Sequence, residues 1–458
     1  MVIKCTKQQE EKNNMIVAML DGRTEKLSPQ IAQMASVLFE NNKLNPNQEG
    51  SYSLQMIEEG HLYHYVFVNL LSSRKHTVRN LFLLFAAAFK TMKRNKSESV
   101  SVVLNEIEDI LTCEMLSKLL ELPILVSYEF NVYKSNCSEE TLKEVEFVLN
   151  REVPDSMVEK AVVVAESTTL ARNFVNHPSN YMTAQQLAKE AEELGNQYGI
   201  DVSVYHEDKI KEWGMGCFYN VEKGSREKPE LIVMRYKGNP NEEKTIGLIG
   251  KGVMFDSGGY NLKSKMATMH DDMGGAAAVV AAVVAAARNH LPVNVTAVVA
   301  ACKNMLSDTA QVPGDIIKSM SGKTVEMLNT DAEGRLTLVD AITYAIREEK
   351  VDVVIDIATL TGAAKGAVGN KCAAVLSNDD NWYQIIQKAS NESAEKIWRL
   401  DLDEELRSCL NSPVADIRNV SLGGTQGAGT AVAAMFIEAF TEEKPFVHID
   451  MAPVNWLV

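Results

Sequence analysis

Thr245-Ile246-Gly247-Leu248-Ile249 carries no charge and runs straight into Gly250-Lys251-Gly252-Val253-Met254-Phe255-Asp256-Ser257-Gly258-Gly259-Tyr260-Asn261-Leu262-Lys263. A short apolar run without in-and-out alternation is the pattern of a strand buried on both faces, as in parallel sheets covered by helices. The polar cluster then falls beyond the C-terminal end of that strand, where open α/β sheets place their ligand sites. The same rhythm continues on both sides. Strands are expected at 201–205, 230–235, 293–300, 351–357 and 373–376, and helices at 275–288, 338–348, 381–389 and 430–440. Strand and helix in alternation imply an α/β fold with a largely parallel sheet.

The first 150 residues read the same way. Runs at 15–20, 63–70, 100–104 and 123–126 look like strands, and 78–92 and 107–122 like helices. The charged, periodic stretch 138–171 fits a long helix crossing between domains, with Pro154 near the start of its second half, where a missing N–H costs little. Residues 171–183 break that helix, and Thr183 is placed to cap the next, at 184–198. The expected organisation is therefore two domains, each a mostly parallel sheet flanked by helices. They comprise an N-terminal α/β domain at 1–150 with an assembly or regulatory role, a linking helix at 151–175, and a larger C-terminal catalytic domain at 176–458.

Composition sets the outer limits. A chain of 458 residues suggests two or three domains, and 46% hydrophobic with 23% charged residues is ordinary for a globular protein. The formal net charge of -15 argues against a general nucleic-acid binder, which needs a basic surface. Seven scattered cysteines, without a C-x-x-C pair, point to free thiols in a reducing compartment, and the start Met1-Val2-Ile3-Lys4-Cys5 lacks the apolar core of a signal peptide. A cytoplasmic location follows. The most apolar run, 273–287, is rich in Ala and Gly and too short for a bilayer, so no membrane contact is expected.

Chemistry-bearing side chains gather at four places that follow strand-like segments: 250–263, His270-Asp271-Asp272-Met273-Gly274-Gly275, Asn329-Thr330-Asp331-Ala332-Glu333-Gly334-Arg335-Leu336, and Ala358-Thr359-Leu360-Thr361-Gly362-Ala363-Ala364. Asp331 and Glu333 are two apart, so an extended backbone would point both the same way and a helix would separate them by about 200°. Same-side carboxylates repel unless a cation lies between them. A solvated turn or helix start is the competing reading of that octapeptide. Gly247-Leu248-Ile249-Gly250-Lys251-Gly252 lacks the spacing and the Ser or Thr of a phosphate loop. The run 423–429 is a weak dinucleotide signal and reads better as an active-site or packing loop. No cysteine sits in a nucleophile setting, His61, His64 and His76 read as chance placements, and His270 is left without a role.

Taken together, these blocks resemble the leucyl aminopeptidase family of two-metal exopeptidases. The octapeptide 329–336 matches the family signature throughout, and 250–259, Lys263, 272–276, 358–363 and 176–183 match further blocks in the right order. The likeness covers 150–456, and the N-terminal domain only by architecture. It implies one metal on Asp256, Asp331 and Glu333, and a second on Lys251, Asp256, Asp272 and Glu333. Lys263 and Arg335 would be catalytic, with a bicarbonate on Arg335. Met269, Thr359, Leu360, Gly362 and Ala452 would line the pocket for the first side chain, suggesting an apolar preference such as Leu. A Lys can ligate only as the free amine, and oxygen donors with one amine suit Zn²⁺ or Mn²⁺, with Co²⁺ or Mg²⁺ also acceptable.

The implied activity is removal of N-terminal residues from peptides by a hydroxide bridging two ions, in a homohexamer. Alternatives are a dipeptidase-like hydrolase of special substrates such as cysteinylglycine, or a non-catalytic DNA-binding or regulatory member. Against the family pattern, the segment from Lys263 to Asp272 is about two residues short, Pro453 stands where Gly is usual, and the sequence stops at Val458 some tens of residues early. The expectations attached to these departures are a reshaped pocket wall beside Met269 and a tail or last strand that is missing.

Overall fold

The structure, a computed structural model, describes residues 1–7, 12–136, 141–422 and 428–455. Two compact units emerge: 1–169 with 389–395, and 170–388 with 396–458.

The first unit is built from β1 (Val2–Thr6), β2 (Asn14–Leu20), α1 (Pro29–Glu40), β3 (Gly50–Glu58), β4 (His61–Leu70), α2 (Val78–Arg94), β5 (Ser99–Val103), α3 (Cys113–Ser127), β6 (Glu144–Val148) and most of α4 (Asp155–Asn176). Its six-stranded sheet has the order β1-β6-β5-β2-β4-β3, parallel except for β3. One face packs Phe85, Phe89 and Phe147 with Leu119 and Leu120, and the other packs Phe67 with Ile31 and Leu38 of α1. Fully burying a side chain of this size stabilises by about 1.5–3 kcal/mol.

Two expectations fail in this unit. Residues 123–126 are the last turn of α3, with Pro123 inside the helix, and Leu122 and Leu125 turn onto the core. Burial of a whole helical face outweighs the strand propensity of four residues. The stretch 138–171 is not one helix either. Residues 144–148 form β6, which pairs with both β1 and β5, and α4 begins directly after Pro154. Val145, Phe147 and Val148 are all buried, as in a strand covered on both faces; Glu146 is tolerated inside because the Lys4 ammonium lies 3.5 Å and that of Lys12 3.6 Å away.

The second unit contains α5 (Ala184–Tyr198), β7 (Asp201–His206), α6 (Glu207–Glu212), α7 (Gly216–Glu222), β8 (Glu230–Lys237), β9 (Thr245–Asp256), α8 (Gly274–Arg288), β10 (Asn294–Asn304), β11 (Asp315–Lys318), β12 (Thr324–Met327) and α9 (Gly334–Arg347). It continues with β13 (Val353–Ala358), α10 (Gly362–Val368), β14 (Ala373–Ser377), most of α11 (Asp380–Ser393), β15 (Ile397–Arg399), β16 (Ile417–Arg418), α12 (Gly429–Glu438) and β17 (Phe446–Asp450). Thr183 caps α5, its hydroxyl accepting from Gln186 N at 3.1 Å, as expected. The eight-stranded sheet has the order β15-β14-β17-β13-β9-β10-β8-β7, and its central strands β17, β13, β9 and β10 are mutually parallel. Helices α5 and α8 cover one face, and α7, α9 and α12 the other.

The strand expected at 245–249 in fact runs to Asp256: β13 pairs with it only as far as Gly250, and β10 carries the pairing on through Lys251 to Asp256. Lys251 therefore lies inside the central strand and not on a loop. The octapeptide 329–336 follows β12, which belongs to a separate three-stranded sheet, β11-β12-β16, so it does not lie at an end of the main sheet. Among the described residues no helix is long and apolar enough to cross a membrane.

Candidate metal centre

Of the four parallel strands, β9 and β10 end opposite each other at Asp256 and Asn304, whereas β13 and β17 end opposite each other at Ala358 and Asp450, just past the level of Gly250. Asp256 is 1% exposed; its Oδ1 accepts from Asn304 Nδ2 at 2.8 Å and from Gly258 N at 2.9 Å. The chain then turns sharply, with φ of +83° at Gly258 and +61° at Gly259, conformations that only glycine adopts cheaply. The turn returns Lys263, whose Nζ lies 2.7 Å from Asp256 Oδ2 and 2.5 Å from Asp331 Oδ1. Thr330 fastens the octapeptide to this turn: its hydroxyl donates to Gly258 O at 2.6 Å and accepts from Asn261 N at 2.7 Å.

The octapeptide is a turn that becomes a helix. Glu333 has φ -77° and ψ -36°, and α9 starts at Gly334. Neither the extended nor the fully helical geometry holds, and the stretch is at once a turn and part of an acidic cluster. Gly334 does not have a positive φ, so backbone freedom is not what the position requires. Its role is to leave room: a Cβ there would stand 2.8 Å from both Cδ and Nζ of Lys251, and closer still to Cε. Arg335, 7% exposed, donates from Nη1 to Asn419 O at 2.6 Å, and among the described residues its Nε has no hydrogen-bond partner. Burial pushes its guanidinium down to about 10.

Lys251 is also buried; its Nζ donates to Asp272 Oδ1 at 2.7 Å and Thr359 O at 3.0 Å, and lies 3.0 Å from Glu333 Oε1. Burial alone would lower its pKa, but Asp272, Glu333 and Asp256 outweigh it and raise it. Burial, reinforced by Glu333, pushes Asp256 up to about 6, and burial pushes Asp272 well above the carboxylate range. Glu333 moves down despite its burial because Lys251 and Lys263 both face it. Oxygens of Asp256, Asp331 and Glu333 lie within 4.8 Å of one another, and Glu333 Oε2 is buried with no hydrogen-bond partner among the described residues.

Four carboxylates thus converge on two ammonium groups that only partly neutralise them. A buried carboxylate oxygen without a partner among the described residues, and a donor set of carboxylate oxygens with one amine, fit hard or borderline divalent cations.

All the residues expected at the centre, Lys251, Asp256, Lys263, Asp272, Asp331, Glu333 and Arg335, gather here. Of the expected pocket residues, Thr359 is buried and its hydroxyl donates to Asp272 Oδ1 at 2.7 Å, so it touches the acidic cluster as well. Met269, Leu360 and Ala452 are half-buried, and Gly362 faces open space. His270 sits in the single turn Met269–Asp271. The run 423–427 and Trp456 lie outside the described residues.

Sequence reading overlooked Asn304, Asn419 and Asp450. Asn304 joins Asp256 to Thr330 O, Asn419 holds the octapeptide through Leu328 N and Asn329 O, and Asp450 organises two loops described below. A polar residue ending an apolar strand was the available signal for Asn304 and Asp450.

A family model described as "Cytosol aminopeptidase family, catalytic domain" matches residues 169–458. A probable cytosol aminopeptidase of Clostridium perfringens is 39% identical, the match covering 98% of this chain and 92% of that protein. One of Fusobacterium nucleatum subsp. nucleatum is 33% identical over 100% of this chain and 94% of its own length. Among solved structures, a mutant of tomato leucine aminopeptidase superposes with a TM-score of 0.88 at 29% identity, covering 100% of this chain and 92% of that one.

Proposed function

The chain belongs to the cytosol aminopeptidase family and is a metal-dependent hydrolase of the leucyl aminopeptidase type, and from that premise we propose that it releases apolar N-terminal residues from peptides at a two-ion centre. The observation that carries the proposal is the convergence of Asp256, Asp272, Asp331 and Glu333 on Lys251 and Lys263 around an unpartnered Glu333 oxygen. Asp256, Asp331 and Glu333 would hold one ion, and Lys251, Asp256, Asp272 and Glu333 the other, Zn²⁺ or Mn²⁺ being the best fit and Co²⁺ or Mg²⁺ acceptable. Bound there, the ions supply Lewis acidity and a water acidic enough to ionise near neutral pH.

The chain's own residues do the rest. Lys263, partly open to solvent on its turn, is the one ammonium of the pair able to face a substrate carbonyl and stabilise the charge that develops on its oxygen. Lys251, fully enclosed, would serve as a ligand once the ions had displaced its proton. Arg335 is buried close to Glu333, and its unpartnered Nε is a donor for a small anion such as bicarbonate that would carry a proton. Met269, Thr359, Leu360, Gly362 and Ala452 would form the pocket for the first side chain. The open space before Gly362 supports room for a branched apolar group.

Asp331→Asn is the direct test. Metal content should fall and leucyl-amide hydrolysis should drop by at least ~10²-fold, whereas near-normal values for both would refute the assignment. Chelator treatment should abolish activity and Mn²⁺ or Zn²⁺ restore it. We further propose a cytoplasmic homohexamer in which the unit containing 1–150 serves assembly or regulation. Light scattering of the purified protein measures the oligomeric state, and a fully active monomer would overturn that part.

A further inference from the structure

Asp450 is the last residue of β17, fully buried, and opposite Ala358, the last residue of β13. The two strands are still joined just beyond their ends, where Met451 N donates to Ala358 O at 2.8 Å. From this position the Asp450 carboxylate gathers the donors of both departing loops. Its Oδ1 accepts from Leu360 N at 3.2 Å, Thr361 N at 3.4 Å and Ala452 N at 3.2 Å. Its Oδ2 accepts from the Thr361 hydroxyl at 2.7 Å, which also lies 2.9 Å from the hydroxyl of Thr430. Thr361 in turn caps α10 by accepting from Ala364 N at 3.1 Å.

We propose that Asp450 is the positioning residue that sets first-residue specificity, because its single carboxylate fixes the loop 359–362 and the loop 451–452 against each other. The inference rests on the pocket assigned above, since Thr359, Leu360, Gly362 and Ala452 all belong to those two loops. Only a residue accepting several bonds at once can do this from one point, and a carboxylate has about four acceptor sites and no donor to spoil them. The opposite end of the first loop is held independently, by the Thr359 hydroxyl on Asp272 and by Lys251 on the Thr359 carbonyl. Loss of Asp450 therefore loosens the pocket wall while leaving the cation-binding side tethered. Asp450 touches neither substrate nor ion in this account; it acts through the backbone it holds.

The experiment compares Asp450→Asn and Thr361→Val with the unaltered full-length protein on leucyl, alanyl and glycyl amides, with Mn²⁺ affinity measured calorimetrically in parallel. The Asp450→Asn change turns one acceptor into a donor facing N–H or O–H groups. The leucyl substrate should lose about 10- to 100-fold in kcat/KM, chiefly through KM, the range that a hydrophobic pocket discriminates. The glycyl substrate, with no side chain to seat, should change less than about 3-fold, as should Mn²⁺ affinity. Thr361→Val, which removes only the hydroxyl arm, should shift the Leu/Ala ratio in the same direction by a smaller factor and keeps the test alive if Asp450→Asn does not fold. An equal loss on all three substrates, or an unchanged Leu/Ala ratio, overturns the proposal. Gly362→Leu separates the two levels. If it leaves the leucyl preference intact, the pocket lies elsewhere and the proposal falls with it. If it abolishes the preference while Asp450→Asn does not, only the role of Asp450 is refuted.

Discussion

Replacing Gly334 by Ala adds one methyl group at the N-terminus of α9, where alanine is the better helix former by up to about 1 kcal/mol. Local propensity therefore predicts a gain. The tertiary structure predicts a loss, because that methyl group would stand 2.8 Å from Cδ and Nζ of Lys251, where carbon contacts settle at about 3.5–4.0 Å. Lys251 is 2% exposed and tied to Asp272, Glu333 and Thr359 O, so it has nowhere to swing. Clearing the overlap, which is deepest at Cε, needs a displacement of more than about 1 Å, enough to stretch its 2.7 Å and 3.0 Å contacts past useful hydrogen-bond length. Overpacking of this kind costs about 1–3 kcal/mol, and a misplacement of 1 Å at a reacting centre costs about 10²-fold in rate. We expect Gly334→Ala to lose roughly 10²-fold in kcat/KM on a leucyl amide, to bind Mn²⁺ at least ~10-fold more weakly, and to melt a few degrees lower. Gly366→Ala, in α10 with nothing within 4 Å of the added methyl group, is the control: it should leave rate and Mn²⁺ affinity unaltered and melt no lower than the unaltered protein. A Gly334→Ala enzyme within about 3-fold of the unaltered protein in both affinity and rate would refute the reasoning.

Three further outcomes are expected. Asn304→Leu removes the donor that joins Asp256 Oδ1 at 2.8 Å to Thr330 O at 2.9 Å, leaving Asp256 Oδ1 with Gly258 N alone and the buried Thr330 carbonyl without this donor, and should cost about 1–3 kcal/mol in denaturant unfolding; a midpoint unchanged at constant slope would contradict it. Lys263→Met should lower kcat by about 10²- to 10³-fold with little change in KM, if Lys263 stabilises charge only in the transition state; a rise in KM alone would assign it to substrate binding instead. Burial pushes the Glu222 carboxyl up to about 8 from 4.5, against the opposing hydrogen bond from Lys303 N at 2.7 Å. A raised carboxyl favours the protonated folded state, so its contribution is complete below about pH 4.5 and is lost as pH rises through about 8. Glu222→Gln should therefore match the unaltered protein in melting temperature near pH 5 and exceed it near pH 8.5, and a difference that does not grow with pH would refute this.

The sequence alone determined the α/β class and the gathering of acidic and basic residues after apolar segments, because strands buried on both faces must be apolar and ligand-binding groups must leave the sheet where it ends. It also carried the family likeness, since the short blocks that bear the chemistry are contiguous. Tertiary structure decided what depends on distant partners. Residues 123–126 became helix and 144–148 strand because packing on the core and pairing with β1 and β5 outweighed local propensity. Lys251 came to lie within β9 only because β10 continues the pairing past Gly250, where that with β13 stops. Gly334 kept its lack of a side chain for the sake of Lys251, 83 residues earlier in the chain (334 less 251), and no local pattern records that contact. Asp450 likewise reads as an ordinary acidic residue after an apolar strand until β17 is set beside β13. Spacing along the chain encodes side-chain type and local period, whereas which carboxylate meets which amide is fixed by strand order and register.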